Sequence, residues 1–150
     1  MDHQRTAYDF GLFILRVAMG GYFTAAGFYK AIGEIQGGLG SFYEGNFKQL
    51  QPDWLPNVFA APYGYALPWL EIVLGVMLVI GMFGRISAAL IGSMIVSFTV
   101  ALALKLGWTA QPPDAPGPIS GNYLQIAAYV ALVALGPGRW SVDGARGNVD

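Results

Sequence analysis

The sequence contains no cysteine and a single histidine, His3, which precedes the first apolar segment. Without cysteine the chain cannot itself form a dithiol relay, a disulfide framework, a thioether-linked haem or an iron–sulfur cluster. One histidine cannot make a bis-histidine haem, no metal-ligand spacing is present, and no metal is expected. Charge is scarce as well. Asp, Glu, Lys and Arg make up 11% of the 150 residues, against about 25% in an ordinary soluble domain. A net charge of -1 leaves no basic excess to neutralise phosphates, so nucleic acid is excluded as a partner. No serine has a plausible His and Asp, and the glycines at Gly37 and Gly38 lack the lysine that a phosphate loop needs.

What the chain has is apolar length. Hydrophobic residues reach 55% and the mean hydropathy is +0.48, which points to a membrane protein. Between Arg85 and Lys105 runs Ile86 to Leu104, nineteen residues without charge or proline. At about 1.5 Å per residue such a helix matches the hydrocarbon core of a bilayer. Three further segments complete an expected set of spans at about 8–30, 65–84, 86–104 and 121–136. The first carries Arg16 and the second Glu71, and one central charge costs only about 2.5–3.5 kcal/mol on the insertion scale, which the surrounding apolar residues offset. Arg16 and the length of the first segment argue against a cleaved signal peptide. The expected fold is an all-α, four-span antiparallel bundle. Within its first long loop, 31–64, Tyr43, Phe47, Leu50 and Trp54 recur at helical spacing, as in a short interfacial helix. The loop 105–120 is rich in proline and reads as a stiff connector. Both long loops then lie on one side and both termini on the other, with a slight excess of positive charge favouring cytoplasmic termini.

Polar residues fall in stripes. Arg16, Gly20, Phe23, Gly27 and Lys30 share one face of the first helix, and Pro68, Glu71, Gly75, Leu78, Met82 and Arg85 share one face of the second. Glycine allows close backbone approach, and ionisable groups avoid lipid by pointing inward. The spacing predicts an Arg16–Glu71 pair inside the bundle, with Lys30 snorkelling to the interface. Two readings of the pair stay open. It is a clasp that fixes helix register, or Glu71 accepts a proton while Arg16 and Lys30 bind an anion or a quinone carbonyl. A shallow pocket open to the loop side would be lined by Trp69, Glu71, Lys30, Asn122 and Gln125. On the third helix Ala89, Ser93, Ser97 and Ala101 form a small-residue stripe, read as a packing face.

Three stretches resemble the DoxX family: Leu15-Arg16-Val17-Ala18 with Gly20, Gly27 and Lys30; Leu70-Glu71-Ile72-Val73-Leu74-Gly75 continuing to Ile80-Gly81-Met82-Phe83-Gly84-Arg85; and Leu135-Gly136-Pro137-Gly138-Arg139-Trp140-Ser141-Val142-Asp143. The resemblance implies a four-helix protein of the bacterial inner membrane, related to the membrane subunit of thiosulfate:quinone oxidoreductase. The expected function is an accessory or anchoring subunit of a larger membrane redox assembly, in contact with lipid and docking protein partners through loops 31–64 and 105–120. This chain would bind no cofactor by itself. The alternatives are a quinone-linked oxidoreductase subunit with Arg16, Trp69 and Glu71 at its site, and a small transporter for an anion or weak acid.

Overall fold

The computed structural model describes residues 2–106 and 118–147, and every regular element among them is helical. In chain order these are α1 (Asp2–Gly37), a π-helical turn (Tyr43–Phe47), α2 (Lys48–Leu50), α3 (Asn57–Ile80), α4 (Gly84–Leu106), α5 (Pro118–Leu135) and α6 (Val142–Ala145). Among the described residues three helices are long and apolar enough to cross a membrane: His3–Gly37, Asn57–Ile80 and Gly84–Leu104. The fourth expected span corresponds to a shorter apolar stretch, Gly121–Leu135.

The long helices overrun their expected ends. With no proline among its 36 residues, α1 reaches about 54 Å at 1.5 Å per residue and must emerge from a hydrocarbon core of about 30 Å. It stops where Gly38 and Gly40 take positive φ values of 87° and 96°. The buried Glu34 carboxylate holds this turn by accepting the N–H groups of Gly40 and Phe42, the latter at 2.8 Å. At its start, α3 gains two turns over the expected span. Pro56 takes the extended N-cap position, and Pro62 and Pro68 are accommodated inside the helix. Proline inside a helix removes a ladder bond, a loss that helices packed in a membrane tolerate. Loop 31–64 thereby shrinks to residues 38–56, and the expected interfacial helix is the π turn followed by α2. Its Glu44–Lys48 pair, at 2.8 Å, is solvent-exposed. Hydrogen bonding to Glu44 raises the Lys48 ammonium above its ordinary pKa, but such surface pairs add little to stability.

Packing starts from α1 against α3. A Cβ on Gly20 would lie 2.8 Å from the Gly75 carbonyl oxygen, and one on Gly27 2.8 Å from that of Pro68, so only glycine permits these crossings. The core between the helices gathers Phe23, Leu67, Leu78, Ala88, Ile91, Ile95, Tyr129 and Leu132. On α4 the face turned inward holds Ala88, Ile91 and Ile95, whereas Ala89, Ser93 and Ser97 are exposed. The small-residue stripe is therefore not the intramolecular packing face, because the larger apolar residues of α4 fill the core.

At the terminal end, Gly81 (φ 70°) closes α3 with paired bonds, Gly81 N–H to Leu78 O at 3.1 Å and Met82 N–H to Met77 O at 3.0 Å. This is a Schellman ending. The Asp143 carboxylate then accepts the Phe83 and Gly84 N–H groups at 3.0 and 2.7 Å, so a residue beyond α5 caps α4. Ser141 starts α6 by accepting the Gly144 N–H at 2.9 Å.

Candidate binding site

Glycine contacts set the register of the antiparallel pair and decide which charges meet. Gly20 lies against Gly75 and Val79, and Gly27 against Pro68 and Ile72. Arg16, one turn before Gly20, is thus delivered to the end of α3, and Lys30, one turn after Gly27, to the level of Glu71. Arg16 and Glu71 do not pair, which corrects the expected clasp. The buried Arg16 guanidinium donates to three carbonyls: Val79 at 3.2 Å, Pro137 at 2.5 Å and Trp140 at 2.5 Å. It also stands over the Phe13 ring, 5.6 Å from the centroid. Five donors in a rigid fork suit arginine to this joint between α1, α3 and the segment after α5. These contacts tie the guanidinium to that joint.

Lys30 forms an ion pair with Glu71 rather than snorkelling. The reason is geometric: the register places a buried carboxylate within its reach, and leaving Glu71 unpaired in the bundle would be far more costly. Only 1% of the Glu71 side chain is exposed, against 22% for Lys30. Glu71 Oε1 takes the ammonium, while Oε2 is buried without a hydrogen-bond partner among the described residues. The Lys30 ammonium also lies 5.2 Å from the Phe42 ring centroid and 6.0 Å from that of Phe98, within cation–π range.

Lys30 borders two cavities. The larger, about 500 Å³, lies between the segment Phe42–Leu55, α3 and α4, with Phe47, Trp54, Tyr63, Phe98 and Ala101 among its walls. The second, about 460 Å³, is more polar and open, with Tyr29, Gln36, Ser41 and Asn46. Lys30, Phe42 and Asn46 belong to both. Of the five residues expected to line a pocket on this side, Lys30 and Asn122 line the larger cavity. Glu71 stands behind Lys30. Gln125 keeps its Oε1 buried and without a partner among the described residues. Trp69 is 47% exposed; it neighbours Pro68 and lies about 100° around the helix from the face that meets α1. The aromatic walls Phe42, Phe47, Tyr63 and Phe98 escaped the sequence reading. The signal for Phe47 was its place in the interfacial stripe, whereas the others required the fold. No cluster of His, Asp and Glu fit for a metal ion occurs among the described residues.

The family model described as Methylamine utilisation protein MauE matches residues 9–113. This overturns the DoxX resemblance, and the thiosulfate:quinone reading that came with it loses its support. The motifs behind that resemblance have local explanations. Arg16, Gly81 and the Gly-Pro-Gly-Arg-Trp-Ser-Val-Asp ending join α1, α3 and α4, and such a joint constrains sequence whatever the activity. No curated protein and no solved structure matches the chain.

Proposed function

Because the chain belongs to the MauE family, methylamine utilisation proteins, we propose that it is a small multi-pass membrane accessory protein of an amine-utilising redox system, supporting a partner enzyme. The observation that carries this reading is the family match over 9–113. The sequence agrees with it: a chain without cysteine and with one histidine has few groups with which to carry electrons, so the redox chemistry belongs to the partner and the cofactor is the partner's. In this reading α5 is a fourth span. Its apolar stretch Gly121–Leu135 packs along α4, and residues 118–120 extend it to 18 residues. The membrane is the bacterial inner membrane, with cytoplasmic termini and the 38–56 segment on the opposite side, where partners dock; the connector expected at 105–120 lies mostly outside the described residues. The exposed Leu39, Trp54, Val58 and Phe59 give that side an apolar surface.

The test is a strain lacking this gene, grown on methylamine or on ammonium as sole nitrogen source. Growth lost on methylamine, kept on ammonium and restored by the intact gene is expected. Undiminished growth and undiminished amine-oxidising activity in the deletion strain would sink the reading.

A further inference from the structure

Two adjoining cavities, one apolar and one polar, share Lys30, Phe42 and Asn46. The apolar one has the roughly 300–1,000 Å³ of a small-molecule site. Its walls are aromatic and aliphatic side chains from Phe47, Trp54, Phe98 and Ala101. The polar one opens outward beside Ser41 and Gln36. An occupant that fits both is long and amphiphilic, with its body inside and its head outward. Lys30 is the head's partner: apart from the Tyr29 phenol, it is the only ionisable side chain lining the polar cavity among the described residues. Of its three N–H donors, one goes to Glu71 Oε1, which leaves donors for an acceptor oxygen of the occupant. The nearby acid Glu34 is turned away, both of its carboxylate oxygens accepting backbone N–H groups of Gly40 and Phe42.

We propose that these cavities form a binding site for one single-chain or phospholipid amphiphile with an anionic oxygen head, the acyl chain lying between the 42–55 segment and α4 and the head meeting Lys30. This is independent of the amine-utilisation reading, since it follows from the cavity pair and Lys30 alone. A carboxylate and a phosphate diester share the required chemistry.

Trp54 provides the readout. The full chain in mild detergent is titrated with 9,10-dibromostearate, with the corresponding dibrominated alcohol, and with dibrominated phosphatidylglycerol. Saturable quenching near one equivalent by an anionic probe is expected, absent in W54F and at least tenfold weaker for the alcohol. Saturation by dibromostearate alone identifies a free fatty acid as the occupant, by phosphatidylglycerol alone a headgroup lipid, and either supports the site. K30M combined with E71L, which removes the pair without stranding Glu71, lowers apparent affinity for the anionic probe at least tenfold but leaves the alcohol unchanged. Should this double variant fail to fold, A101F fills the apolar cavity without touching the ion pair and abolishes saturable quenching. Quenching that merely follows the mole fraction of brominated chains, that survives A101F, or that is equal for acid and alcohol overturns the proposal.

Discussion

Lys30 and Glu71 show how sharply one buried pair constrains a chain with few charges. Removing one partner of a buried pair costs about 3–5 kcal/mol, because the other charge is stranded, whereas replacing both with apolar residues is often near neutral. Lys30→Met is therefore expected to lower thermal stability in detergent steeply. Lys30→Met with Glu71→Leu should recover most of the loss, and equal melting of single and double variants would contradict the pairing. Arg16→Lys should also destabilise, since one ammonium cannot span the Val79, Pro137 and Trp140 carbonyls; faster proteolysis after residue 136 is the expected signature. At this scale the sequence was legible in part. Stripe periodicity placed Arg16, Lys30 and Glu71 on inward faces. It does not supply the register, and without the register an arginine is the more obvious partner for Glu71 than a lysine. Matching the glycines across the two helices would have corrected this, because Gly20 and Gly27 meet Gly75 and Pro68.

Elements here are joined by backbone proximity and by caps. Gly20→Leu or Gly75→Val would push side chain into opposing backbone, and overpacking of this kind costs about 1–3 kcal/mol. Separation of α1 from α3, read as a drop in melting temperature, is the expected result, while Gly11→Ala, inside α1 where a Cβ meets nothing within 4 Å, should not lower it, alanine being the better helix former. Asp143→Ala removes two hydrogen bonds at the start of α4, a loss expected to cost about 1–2 kcal/mol by analogy with other helix caps. Asp143→Asn should recover part of it. Hydropathy made the helices readable while misplacing their ends, since the Pro56 carbonyl and the Glu34 carboxylate act through hydrogen bonds that no window average sees, and Pro62 is accommodated inside α3. The small-residue stripe of α4 misled for a related reason: composition alone does not say whether a face meets protein or lipid.

For the whole molecule, the absence of cysteine is an experimental gift. Single cysteines at Gln4, Asn46 and Arg146 can be labelled in cells without background, and a membrane-impermeant maleimide should reach Asn46→Cys alone if the termini are cytoplasmic. Labelling of Gln4→Cys and Arg146→Cys instead would invert the topology; labelling of all three would rule out the bundle as described. The class of the molecule was plain from the scarcity of charge, whereas the cavities were not, because they arise where the 42–55 segment folds over α3 and α4.

The Arg16 joint also bears on biogenesis. Arg16 leaves the ribosome early, yet two of its three carbonyl partners lie more than 120 positions later. Until Pro137 and Trp140 have been made, a guanidinium on an apolar helix lacks two of its eventual acceptors. A chain truncated before residue 137 keeps only Val79 of these three acceptors, and is expected to melt lower in detergent and to be cut faster by added protease than the full chain.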